Sequence, residues 1–111
     1  MLAILNNNVL SINGSIFHFS LDNRAVLKLD NMYGSYMDIF QSIMEGKNFF
    51  TNALKILTCT CKEREWTIDE LIDNLTGTQL SFGVPPLVTN LVISYFGAKE
   101  KENNENGSSK N

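Results

Sequence analysis

Apolar positions in the first third of the chain alternate, and from residue 22 onward they recur at spacings of three and four. The alternating run is Val9 to Phe19, VLSINGSIFHF, with Asn13-Gly14 at its centre, the strongest short-range hairpin signal. A two-residue turn there pairs Val9 with His18, Leu10 with Phe17 and Ile12 with Ser15. Leu10, Ile12, Phe17 and Phe19 then share the face that meets the rest of the protein, while Val9, Ser11, Ile16 and His18 lie opposite. Residues 2–5 are apolar enough to add a short third strand, which would steady an otherwise marginal hairpin.

Helical spacing takes over at Asp22, an N-cap for a helix to about Met32 that Gly34 ends. Ser35 with Asp38 opens a second helix, Tyr36 to Glu45, whose stripe is Tyr36, Phe40, Ile43 and Met44 and which Gly46 closes. Asn48 caps a third helix reaching Cys61 to Glu63. Its residues Phe50, Ala53, Leu54, Leu57 and Cys61 form one stripe, and Phe49 and Ile56 widen it beyond a single face. A helix apolar over so much of its girth is central to a core or covered by a partner.

The joint that follows is tightly specified. Thr67 and Glu70 fit a capping box, with Trp66 and Leu71 at the flanking hydrophobic positions. Thr76 to Gly83 reads as a loop. Pro85 and Pro86 suit the first turn of a last helix to about Phe96, which carries Leu87, Val88, Leu91, Val92, Ile93, Tyr95 and Phe96 and almost no charge. The expected fold is mainly α with a small N-terminal β-hairpin (α+β), a compact cluster of about five short helices in one domain, 1–98. Residues 99–111, KEKENNENGSSKN, form a polar, disordered tail.

Composition narrows the chemistry. At 111 residues and 43% hydrophobic content, the chain can build one core without a staple. A net charge of -3 with no basic run argues against nucleic acid, whose phosphates require clustered Lys and Arg. MLAILNNN lacks a basic region and a sufficient apolar run for a secretory signal, and 84–96 is too short and too interrupted to span a bilayer; the expectation is a cytosolic protein without a membrane partner. Cys59 and Cys61 on a helix would point to different faces, and a single histidine offers no partner set for zinc or another cofactor. His18 has no carboxylate or nucleophile near it in sequence and reads as a solvent-facing strand residue. Asp69, Glu70 and Asp73 suit the first turn of a helix rather than a catalytic pair. The chain is expected not to be an enzyme.

The order of these elements, from the hairpin through LDNRAVLKLDNMYG, IFQSIMEG and NFFTNALKILTCTC to WTIDELIDNL, resembles the small tail assembly chaperones of long-tailed bacteriophages. The similarity is to the branch related to siphophage and gene-transfer-agent proteins. Gly34, Gly46, Ala53, Leu54, Leu57 and the Thr67–Leu71 cap fall at matching places over residues 9–75, and the uncharged stretch Leu80–Phe96 departs from the pattern. The resemblance implies a protein of the host cytoplasm, neither secreted nor part of the mature virion. Such a protein coats the helical tape measure protein and is displaced by tail tube subunits. It also implies a longer form made by a frameshift near the end of the short one, for which the polar tail would be a suitable junction. Phe49, Phe50, Leu91, Tyr95 and Phe96 are the expected partner-binding residues, because the chain has more apolar helical girth than one small core requires; the same surface could serve self-association. The alternative is a phage or bacterial adaptor or regulatory protein that binds one partner through the same apolar helical surface.

Overall fold

A computed structural model of the protein describes residues 8–110, with side chains from Asn8 to Gly97. The possible third strand at 2–5 lies outside the described residues. Strands β1 (Val9–Ile12) and β2 (Ser15–His18) pair antiparallel in the expected register, Val9 opposite His18 and Leu10 opposite Phe17. Asn13 and Gly14 both take positive φ, 54° and 82°, as a type I′ turn requires. Helices α1 (Asn23–Tyr33), α2 (Tyr36–Glu45), α3 (Phe49–Thr60) and α4 (Ile68–Asn74) follow, and α5 (Val84–Lys110) completes a five-helix α+β fold.

Local chemistry sets most of these boundaries. Asp22 accepts the Ala25 amide at 2.8 Å and Ser35 accepts that of Asp38 at 3.3 Å, which fixes the starts of α1 and α2. Gly46 ends α2 in the left-handed region. Asn48 holds the cap position of α3 but acts differently from expectation. It sits at φ 50° with no side-chain cap bond, and its carbonyl instead accepts from the backbone and the side-chain amide of Asn52. Asparagine is one of the few residues that tolerate this conformation, so the position selects it for backbone shape.

Helix α3 is the axis of the core. It touches α1, α2, α4 and α5, and its Ala53, Ile56 and Leu57 are fully buried. Two threonines complete its apolar girth without unpaired hydroxyls: Thr58 bonds Tyr33 Oη and the Lys55 carbonyl, and Thr60 donates to the Ile56 carbonyl. Beyond α3, Cys61 pairs with Phe19 as an isolated bridge. The Ser20 amide donates to the Thr60 carbonyl at 2.9 Å and the Lys62 amide to the His18 carbonyl at 2.8 Å, so this connection acts as an added edge on the hairpin. The capping box of α4 is complete, with Thr67 Oγ1 accepting the Glu70 amide at 3.1 Å and Glu70 Oε1 the Thr67 amide at 2.9 Å.

The expected loop at 76–83 is helical instead. Thr76 and Gln79 form a second reciprocal cap, with the Gln79 amide on Thr76 Oγ1 at 3.1 Å and the Thr76 amide on Gln79 Oε1 at 3.0 Å. A π-helical turn, Gln79–Gly83, then runs directly into α5, and the Val84 amide reaches back to the Gln79 carbonyl. Pro85 and Pro86 follow that turn. They have no amide hydrogens to return to the carbonyls of the preceding turn, and a widened turn is one way a helix accommodates such a gap.

Gln79–Gly97 is therefore one helical stretch of 19 residues, long and apolar enough by length and composition to cross a membrane; counting 84–96 alone understated it. Its Val84, Leu87, Val88, Leu91 and Val92 are committed to the protein's own core. The bounds of α5 also extend through the polar segment expected to be disordered. Ala98, Lys99, Glu100, Lys101 and Glu102 are good helix formers that do not stop it, and their side chains lie outside the described residues.

Candidate partner-binding groove

Helix α2 packs against α3 and buries Ile39, Phe40 and Ile43, which leaves Met37, Gln41 and Met44 along its outer edge. Helix α5 buries Leu91 and Val92 and turns Ile93 and Phe96 toward the same space. Between them lies an open groove of about 480 Å³, lined by Met37, Phe40, Gln41, Met44, Val92, Ile93, Phe96 and Gly97. Phe40 and Val92 are buried and form its floor; Met37, Met44, Ile93 and Phe96 are exposed and form its walls. Phe96 meets Phe40 edge-on at 5.8 Å between ring centroids, which anchors that wall to the core. No charged side chain lines the groove.

The five expected partner-binding residues divide. Phe96, 45% exposed, belongs to the groove. Leu91 is 2% exposed and is a core residue, so it offers no surface; residues four apart share a helix face, and Val84, Leu87, Val88 and Leu91 all point inward. Tyr95 packs partly against the core and donates its hydroxyl to Asn23 Oδ1. Phe49 packs against the core while Phe50, 44% exposed, lies edge-on to it at 5.3 Å, and neither lines the groove. The two adjacent phenylalanines thus split between core and surface.

The sequence places Phe40 and Met44 on one α2 stripe, but Met37 and Gln41 were not joined to them as one side of a groove. The signal was available: 37, 40, 41 and 44 follow helical spacing on a face offset from the core stripe of Ile39, Phe40 and Ile43.

The polar chemistry lies elsewhere. His18 faces solvent as expected, but the fold brings it a carboxylate from 45 residues away: His18 Nδ1 meets Glu63 Oε2, and the His18 amide donates to Glu63 Oε1 at 2.7 Å. These bonds, the backbone one first and the imidazole one next, hold the Glu63 carboxyl below its ordinary value. The free Cys61 thiol also donates to Glu63 Oε1 at 3.7 Å, and together these contacts clasp β2 to the connection that follows α3. Glu70 is held low by the Thr67 amide and then by the Arg64 guanidinium, 2.9 Å away. The same guanidinium lies 3.8 Å from the Trp66 ring centroid. Both cysteines are free thiols, and burial pushes that of Cys59 up, away from the reactive thiolate. Among the described residues no three His, Cys, Asp or Glu side chains form a group that could hold a metal ion.

Compared with protein families, curated proteins and solved structures, the chain finds no match.

Proposed function

We propose that this protein is a non-enzymatic assembly factor whose α2/α5 groove takes the apolar face of a helical partner. That partner is the tape measure protein of a long-tailed phage, bound in the host cytoplasm until tail tube subunits displace the chaperone. The observation that carries this reading is the groove itself: an uncharged channel with a buried aromatic floor and walls of two methionines, an isoleucine and a phenylalanine. Amphipathic helices dock in such channels by placing apolar residues at i, i+3, i+4 and i+7. Unbranched, polarisable methionine walls adapt to unlike side chains. That suits a cover applied repeatedly along one long helix whose sequence changes from site to site. Contacts that are apolar rather than ionic also release without an energy source when a competing surface buries the same helix.

The test is co-expression of the full chain with a segment of the tape measure protein, followed by light scattering on the purified complex. Several copies per segment, increasing with segment length, are expected of a coating chaperone. A fixed stoichiometry independent of length would instead identify an adaptor serving one partner, and failure to co-purify would reject the reading.

A further inference from the structure

Three contacts lay strand β1 along the last helical stretch. Gln79 Nε2 donates to the Ser11 carbonyl, Leu10 Cδ2 lies 3.5 Å from where a Cβ on Gly83 would stand, and Asn90 Nδ2 donates to Asn8 Oδ1 at 2.7 Å. From residue 11 back to residue 8, the chain therefore follows the helix from 79 forward to 90. Its direction at Asn8 is toward the end of the helix that carries Ile93, Phe96 and Gly97, which is the α5 side of the groove.

The distances match. Asn90 stands three and seven residues before Ile93 and Gly97, spacings that share one helix face. From Asn90 to Gly97 the helix rises about 10 Å, at about 1.5 Å per residue. An extended chain covers that length in about three residues, at about 3.3 Å each. Residues 1–7, MLAILNN, lie outside the described residues, and the residue three before Asn8 is Leu5. Met1–Leu5 is thus the segment that β1 delivers to the mouth of the groove. It is apolar throughout and uncharged in its side chains, as are the methionine, isoleucine and phenylalanine walls it would meet.

The other place for this segment, a third strand beside β1, is partly taken. Ile12 and Ser15 flank the two-residue turn and exchange hydrogen bonds, so the Ser11 carbonyl points away from β2. Gln79 already occupies that carbonyl.

We propose that residues Met1–Leu5 dock in the α2/α5 groove as an intramolecular cover over Met37, Met44, Ile93 and Phe96. A cover of this kind keeps the apolar walls out of water until a partner competes for them. Its part in regulating partner binding rests on the function proposed for the groove, whereas the docking rests on the course of β1 and the groove's walls alone.

Nuclear Overhauser contacts in the full, methyl-labelled chain without any partner test this. Contacts from the Leu2, Ile4 and Leu5 methyls to those of Met37 and Met44 are expected, with none to Met32 on α1. Leu2→Ser with Ile4→Ser and Leu5→Ser should raise the fluorescence of bound anilinonaphthalene sulfonate about twofold or more by uncovering apolar surface. Adding Ile93→Asp should remove that gain, which separates an opened groove from a loosened fold. Contacts from Leu2–Leu5 to Val9 and Ser11 in place of the groove would make the segment a third strand and overturn the proposal. Dye fluorescence unchanged by the triple substitution would overturn it as well. Neither measurement involves the tape measure protein, so failure here leaves the groove's proposed function to its own test.

Discussion

The joint between α3 and α4 and the groove between α2 and α5 are built from different residue types and serve opposite ends. At the joint each of the main polar side chains closes a contact. Thr67 and Glu70 satisfy each other's amides, Arg64 spans Glu70 and Trp66, and Glu63 clasps His18 on the hairpin. Trp66 is buried there and meets Phe17 edge-on at 5.1 Å. At the groove the polar side chains are nearly absent, and four large apolar ones stand in solvent above a packed floor. The difference separates architecture from recognition: the joint closes its charged and hydroxyl side chains within one chain, with only the buried Trp66 indole N–H left without a partner among the described residues, whereas the groove has apolar surface left over.

Substitutions at the two places should therefore have opposite signatures. Leu71→Ala at the joint removes a fully buried side chain and should cost about 2–5 kcal/mol of unfolding free energy in urea titrations, without a specific effect on partner capture beyond the loss of folded protein. Thr67→Ala should cost about 1 kcal/mol, since it orphans the Glu70 amide and breaks the reciprocal cap. Ile93→Asp at the groove wall should change stability by only about 0.5 kcal/mol, as exposed substitutions do. Capture of an apolar helix should nevertheless be lost, because a desolvated carboxylate would face it. Phe50→Asp, outside the groove, should leave capture intact, and a loss there equal to that of Ile93→Asp would move the binding surface to α3.

The smallest effect sharpens the account of the joint through pH. Glu63 and Glu70 have folded pKa values below the unfolded carboxylate value of about 4.3. Their contribution is fully present above the unfolded value and is lost as pH falls through the lowered folded values. Thermal midpoints measured from pH 7 down to 3 should decline at the acid end, and Glu63→Gln with Glu70→Gln should flatten that decline. An unchanged profile would show that the clasp and the cap contribute through geometry alone.

Much of the architecture was legible because it rests on local rules. The hairpin register follows from Asn13-Gly14, the helix starts from Asp22, Ser35 and Thr67, and the central place of α3 from its apolar girth. What escaped was set by neighbours in space or by unrecognised local chemistry. The Thr76–Gln79 cap has the same form as the Thr67–Glu70 box and was overlooked beside Gly77, Gly83 and two prolines, which read as breakers. That oversight turned a continuous helix into a loop and a shorter helix. Leu91 and Phe96 look alike in sequence, yet α5's rotation buries one and exposes the other, and only packing against α2 and α3 sets that rotation. Glu63 and His18 meet because the chain after α3 runs back along β2.

The central claim is that the groove between α2 and α5 receives an apolar helix, and the methyl groups of Met37 and Met44 report on it directly. In carbon-13 methyl spectra of the full chain titrated with an amphipathic helical segment of the tape measure protein, both methionine methyl signals should shift and saturate together. Met32, exposed on α1 outside the groove, should stay unchanged. If the segment binds while Met37 and Met44 remain unmoved, recognition occurs elsewhere and the account of the groove is contradicted.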